Sequence, residues 1–460
     1  MNIVANIYYT KYKMYEMERK GTMQNTLIEE KPSLIASFNG IDIYRIAAGK
    51  FKTSSVNFFF QDNLSRESVT KNALLPAVLR RGTRNHPAFR DLMIRFEDLY
   101  GTSFDCGVTK KGERHIIQFY LEYLSDRFLP EGSDQFGKAF DLLLEVITDP
   151  ALDNGIFRQD YLKQEKDNLK KLIEARVNDK MQYSVEKCLE EMCKDEPYGI
   201  YDYGFVSDLE GIGAAELYGH YRSMLETYPL QVYLAGDIDE AGVKKVVDVL
   251  SKMKRGTVKK LERGVISRES SGTANFTERM SITQGKLSLG FRTNTSPDGA
   301  DYYTLMVLNG ILGGGMHSKL FQNVREKASL AYYAFSRLDK FKGLMIVSSG
   351  IEIKNRDQAL EIMLRQLEEI KKGNISDYEF ESTLKTIETS VTSLKDSQMQ
   401  IVDFYLSQTV AGTADSFEDV IGKVKRVKRE DIVAVAGRIR LDMIYFLTAS
   451  EAQNQRKEDG

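Results

Sequence analysis

Short runs of apolar and polar residues alternate along this chain, and longer stretches carry apolar residues at helical spacing. Ile41–Ile46 predicts a strand, and Phe58–Phe60 a second. From Asn72 to Tyr100 the spacing turns helical, with a break at Gly82-Thr83. Ser103–Thr109 and Ile116–Leu121 read as a hairpin joined by polar Lys110–Arg114. Charged amphipathic stretches run from Asp134 to Cys193, interrupted near Asp149-Pro150. A helix at Gly213–Leu225, a strand at Leu230–Ala235 and a helix at Glu240–Met253 close a first half.

Between residues 255 and 280, Lys, Arg, Ser, Gly and Thr dominate, which predicts a linker. A second half then repeats the plan. It predicts a strand at Lys286–Phe291, a helix at Tyr302–Leu312 and a helix at Ser318–Glu326 after three glycines. Strands at Ala331–Phe335 and Leu344–Ile351 follow, then helices at Asn355–Lys371 and Ser376–Asp396. The close, helix Asp431–Ile439 then strand Met443–Thr448, copies the end of the first half. The expected class is α+β: two similar domains, each an antiparallel sheet covered by long helices. The expected boundaries are an N-terminal extension over 1–30, domains over 31–254 and 281–455, and the linker over 255–280. Within the extension, the 22 residues before Met23 read as a translated upstream stretch.

Composition narrows the function classes. Of 460 residues, 42% are hydrophobic and 28% charged, with net charge −2, so no strong field favours nucleic acid or membrane. No apolar run approaches the ~20 residues that cross a bilayer. The three cysteines, Cys106, Cys188 and Cys193, are too few and scattered for a disulfide framework, so a reducing, cytoplasmic location is the default expectation.

The chemistry-bearing motifs are thin. Of the four histidines (His86, His115, His220, His317) no two lie one helical turn apart. Cys188 and Cys193 are five apart and read as structural. There is no G-x-S-x-G elbow. Gly310–Lys319 is glycine-rich but lacks the spacing of a phosphate-binding loop, and reads as a flexible joint.

One stretch is sharper. Residues 313–333 run Gly-Gly-Gly-Met-His-Ser-Lys-Leu-Phe-Gln-Asn-Val-Arg-Glu-Lys-Ala-Ser-Leu-Ala-Tyr-Tyr. This resembles the C-terminal signature of the M16, insulinase-like peptidase family, where a Gly-rich joint leads to L-F-x-x-V-R-E-K and then L-A-Y. Phe96–Gly101 and Ala235-Gly236-Asp237, with Asp239, resemble features of the family's first domain. The family's inverted zinc motif, H-x-x-E-H, lies on a helix shortly before a Gly-Thr pair. Anchored on Gly82-Thr83, it falls here on Ala73, Pro76 and Ala77, so both histidines and the general base are replaced. The third ligand, a later Glu, falls on Leu172, after an interval that Leu124–Phe136 lengthens.

The resemblance therefore implies a zinc-less subunit with no metal or cofactor of its own. Zinc is expected only in a partner M16 subunit with an intact motif, and the shared substrate is a peptide. It implies that Arg325 and Tyr332 contribute to the partner's site, a guanidinium fork for a carbonyl or carboxylate and a hydroxyl for an oxyanion. Read without it, Arg325 pairs with Glu326 on the surface and Tyr332 packs. Gly313, Gly314 and Gly315 are expected to touch substrate, and peptide to add at a sheet edge near Lys286–Phe291. A homodimer in isolation stays open. So does the alternative of a peptide-binding or scaffold protein without a protease partner, a type associated with modification of elongation factor P.

Overall fold

Strands form where β-branched and aromatic residues cluster, and sheet topology decides which of them are buried. The computed structural model describes residues 30–266, 268 and 272–450. The first half runs β1 (Pro32–Phe38), β2 (Ile41–Ala47), β3 (Thr53–Asn63), α1 (Val69–Leu79), α2 (Phe89–Asp98), β4 (Ser103–Lys111) and β5 (Arg114–Leu124). There follow α3 (Gln135–Thr148), a small hairpin β6 (Leu152–Asp153) and β7 (Ile156–Phe157), α4 (Gln159–Ala175), α5 (Lys180–Met192), α6 (Val206–Leu209), α7 (Ala214–Thr227), β8 (Leu230–Gly236) and α8 (Glu240–Leu250). The second half runs β9 (Ala274–Met280), β10 (Gly285–Arg292), α9 (Tyr302–Gly313), β11 (Ala331–Asp339), β12 (Leu344–Ile351), α10 (Arg356–Lys371), α11 (Asp377–Leu394), α12 (Gln398–Ala411), α13 (Phe417–Lys425), α14 (Arg429–Ala436) and β13 (Arg440–Ala449).

The two main sheets share one topology. The first is ordered β1-β2-β8-β3-β5-β4 and the second β11-β12-β10-β13-β9. Dropping β1 and reading the first from its other end, β4-β5-β3-β8-β2 matches the second strand for strand. Each has one parallel pairing at the same place, β2 with β8 and β13 with β9. The α+β duplication expected from the sequence is present.

Each half also lends a helix to the other. The buried face of α5 (Val185, Cys188, Met192) packs with Ile346, Met443, Tyr445 and Leu447 of the second sheet. In return Ile401, Val402, Tyr405 and Leu406 of α12 share a core with Ile46, Phe59, Ile116, Tyr233 and Ala235 of the first sheet. The halves are thus one packed body. A buried ionic cluster fixes the seam. Glu196 accepts from Arg292 at 2.7 Å and pairs with Lys342 at 2.7 Å; Arg292 also holds Asp442 at 2.7 Å, and Lys342 pairs with Glu113. Burial opposes the charge on Glu196, but Arg292 and Lys342 overcome it and hold its carboxyl down to about 2.

Four sequence expectations need correction. The stretch 255–280 is not all linker: its last seven residues form β9, an exposed sheet edge with no buried residue and no apolar alternation. Lys286–Phe291 lies in β10, which pairs on both sides, so no peptide can add there; the edges are β11 and β9. Ser318–Glu326 is not a plain α-helix, because Phe321–Lys327 is a π-helix. β1, α12 and α13 were missed. β1 had a signal: Asn39-Gly40, both at positive φ (48° and 73°), is the two-residue turn that joins it to β2. Most of the extension over 1–30, and the last residues of the 281–455 domain, lie outside the described residues.

Candidate functional site

Two segments carry the residues singled out from the sequence. The first is α1. Ala73 is 7% exposed, Pro76 is buried and Ala77 half-buried. A proline at this interior position supplies no N–H to the carbonyl of Asn72, one turn earlier. The side chain of Asn72, itself fully buried, ties the helix down instead. Its Oδ1 accepts from His220 Nε2 at 2.7 Å and from the Tyr228 hydroxyl at 3.1 Å, and its amide donates to His115 Nδ1 at 3.2 Å. That assignment of tautomers follows from the bonding pattern. Burial pushes both histidines down to about 4, so both are neutral near pH 7. Cys106, on edge strand β4, donates its thiol to the Pro76 carbonyl at 3.2 Å. Burial pushes that thiol up to about 12, and Cys193 likewise, which leaves them unreactive, as the structural reading of Cys193 requires.

Leu172 lies on α4 and is 44% exposed. It shares a helix face with Leu169 and with Glu165, which is 2% exposed and paired to Arg81 just beyond α1. A methyl, a pyrrolidine ring, a second methyl and an isobutyl group offer no lone pair to a metal. Among the described residues no group of three or more His, Cys, Asp or Glu stands close enough to hold one. The residues at these positions do not fit a zinc ion.

The second segment follows α9. Gly313 is buried, and a Cβ there would collide with Ser336 and with the Phe335 backbone on β11. Its glycine serves close packing of helix on sheet, which corrects the expectation that it touches substrate. A Cβ on Gly314 would strike Gly310 one turn back. Gly315 is half-buried, and Met316 beyond it is 74% exposed.

Three backbone irregularities then follow within a dozen residues. The first is the π-helix, Phe321–Lys327. Next, Ser329 sits in the left-handed region at φ 52°, while the Leu330 N–H closes the turn onto the Val324 carbonyl at 3.1 Å. Finally, the pairing of β11 with β12 slips between Ala331 and Tyr333, so Tyr332 is the extra residue of a bulge. Such features concentrate at functional sites because they re-aim side chains at a cost in local stability.

What they aim is Arg325 and Tyr332. The Arg325 side chain is 45% exposed, and Glu326 lies 3.7 Å away, beyond hydrogen-bond reach. Its guanidinium sits over the Phe321 ring, 4.7 Å from the centroid. Tyr332 is 67% exposed, so it does not pack. Neither side chain makes a hydrogen bond among the described residues. Both are exposed on one short segment, Arg325 in a loose ion pair with Glu326 and Tyr332 without a hydrogen bond among the described residues.

Comparison with known proteins places this geometry. Residues 211–387 match the family model described as the peptidase M16 inactive domain. Over 418 residues the chain is 38% identical to the Bacillus subtilis protein named "Probable inactive metalloprotease YmfF", spanning 91% of this chain and 98% of that one. The chain belongs to the M16 peptidase family. Among solved structures, a conserved protein from Enterococcus faecalis superposes with a TM-score of 0.84 at 32% identity, covering 91% of this chain and 99% of that one. An M16 inactive domain from Pseudomonas fluorescens superposes at 0.75 with 17% identity, over 91% and 98% of the two chains, a likeness of fold alone. No helix among the described residues is long and apolar enough to cross a membrane.

Sequence reasoning missed two residues of this M16 chain. Asn72 interrupts an apolar helix, and a buried polar residue there signals a network. Phe321 stands four residues before Arg325, a spacing that brings side chains together.

Proposed function

We propose that this chain is the non-catalytic subunit of a two-subunit M16 zinc peptidase, presenting Arg325 and Tyr332 to a peptide held at the zinc of its partner. The observation that carries the reading is the pairing of opposites. The positions expected to bind metal hold no side-chain donor atom, while Arg325 and Tyr332 are exposed, make no hydrogen bond among the described residues and sit on an irregular segment, Arg325 with only a 3.7 Å ion pair to Glu326. A guanidinium offers rigid paired donors to a peptide carbonyl or carboxylate. A phenol donates to the oxyanion that forms when that carbonyl is attacked. Gly315 and Met316 stand beside the same segment and supply accessible backbone for an extended peptide. The chain itself moves no proton at a metal-bound water, since Pro76 carries no base.

The test begins with the tagged chain purified from its own cell and its companions identified by mass spectrometry. The expected companion carries an intact H-x-x-E-H motif, and the pair cleaves peptides that neither chain cleaves alone. In the pair, Arg325→Ala and Tyr332→Phe should each lower turnover about 100-fold to 1000-fold, the range seen for single oxyanion donors. A pair with both substitutions and full activity would remove the assigned roles. A companion that is no peptidase would favour the scaffold reading, with elongation factor P modification as one setting for it.

A further inference from the structure

The Arg325 guanidinium has to be held without using up its donors. Its N–H groups lie in the guanidinium plane, so a partner in that plane competes with any ligand, whereas a partner on its face does not. Of its two neighbours, Glu326 forms an ion pair with Nε at 3.7 Å, longer than a hydrogen bond, and the Arg325 Cζ stands over the Phe321 ring, 4.7 Å from its centroid. Phe321 is half-buried beside fully buried Leu320, whose side chain belongs to the second core. Val324, on the same π-helix, is anchored there too. The backbone on both sides of the ring is therefore tied to the body, while the Arg325 side chain is half-exposed.

We infer that Phe321 is the positioning residue for Arg325: its ring holds the guanidinium by cation–π contact and leaves the in-plane fork open for a planar acceptor, a peptide carbonyl or a terminal carboxylate. This inference rests on the proposed role of Arg325 and adds its mechanism of presentation. The π-helix belongs to the same device, because its wider turn sets how the ring and the arginine four residues on lie against each other. A salt bridge in place of the ring would occupy the fork and favour a closed, self-paired arginine.

Two measurements separate the inference from the reading beneath it. In the isolated full chain labelled with [15N]arginine, the Arg325 Nε–H resonance should lie upfield through the ring current of Phe321. Phe321→Leu should abolish that displacement and Phe321→Tyr preserve it, with the other arginine resonances unmoved as the control for folding. An Arg325 resonance indifferent to Phe321→Leu overturns the inference whatever the partner does. In the purified peptidase pair, Phe321→Leu should lower kcat/KM about threefold, the scale of an exposed cation–π contact. Phe321→Tyr should restore it. On an Arg325→Ala background Phe321→Leu should cost nothing further, and both single substitutions should act on the same one of KM and kcat. Additive losses would make Phe321 merely structural and overturn the inference. An Arg325→Ala pair with unchanged kinetics would instead overturn the role of Arg325, with the resonance experiment still deciding whether the ring holds it.

Discussion

The connection from β3 to β4 and the connection from β10 to β11 occupy the same place in two sheets of like topology, yet they have gone opposite ways. The first holds α1, where Ala73 and Pro76 are buried, Asn72 is tied to three partners, and no metal donor remains at the motif positions. The second holds the π-helix, a left-handed serine and a bulge, with Arg325 and Tyr332 exposed. The first segment is packed into the core and tied there by the Asn72 side chain. A segment that keeps exposed polar side chains has kept its irregular backbone as well. Stability and function impose contrary local demands, and the duplicated fold sets them side by side.

Restoring the ligands puts the largest strain on that comparison. A chain carrying Ala73→His, Pro76→Glu, Ala77→His and Leu172→Glu is expected to retain one zinc per chain after desalting, measured by elemental analysis. Zinc at a thousandfold excess over its Kd should then stabilise the fold by about 4 kcal/mol, reversed by chelation. Retention of no zinc would show that the four positions do not converge.

Asn72→Ala comes next. It leaves His115, His220 and Tyr228 without their shared partner inside the protein, at about 1–3 kcal/mol for each group left unpaired. A total loss of about 4 kcal/mol is expected in denaturant unfolding, with the Arg325 resonance unmoved. A loss under about 1 kcal/mol would mean that α1 is not held by this network.

Acid tests the same network at smaller scale. His115 and His220 are lowered to about 4 by burial, against an ordinary value of ~6.5. The unfolded chain therefore binds more protons between those limits, and stability is full above about pH 7 and declines as pH falls from about 6.5 toward 4. Asp62 opposes the shift, while Lys71, Lys110 and Lys259 reinforce it. Each histidine should remove about 2–3 kcal/mol by pH 4.5, and Asn72→Ala should flatten that slope.

The smallest effect sharpens the contrast most. Arg325→Ala should change unfolding free energy by less than about 0.5 kcal/mol, since the side chain is half-exposed and its nearest charge makes no hydrogen bond. A larger loss would give Arg325 a structural reason to persist, which the proposed function does not need.

Much of this was legible in the chain. The strand at Leu344–Ile351 was bounded to the residue, because it is buried throughout and opens on the apolar run Leu344–Val347. The duplication followed from two matching element orders. β9 was illegible because an exposed edge strand has no buried face to mark it. α12 was illegible as a separate helix because its apolar residues meet the first sheet, a partner more than 150 residues away in sequence. At the site, the resemblance set Ala73, Pro76, Ala77 and Leu172 at the metal-motif positions, but Gly313 looked like a substrate contact until Ser336 was seen against it.

Residue type alone determined what four positions can offer: alanine, proline and leucine side chains carry no metal donor in any conformation, so Ala73, Pro76, Ala77 and Leu172, where the resemblance sets the inverted motif, supply none. Exposure and bonding were decided only in three dimensions. Arg325 and Glu326 are neighbours in the chain and looked like a surface pair. They do form an ion pair at 3.7 Å, longer than a hydrogen bond, and the guanidinium also stands over the Phe321 ring, so its N–H groups make no hydrogen bond among the described residues. The physical reason is that donor chemistry belongs to a side chain, whereas the freedom of a donor depends on every group that packing brings within reach of it.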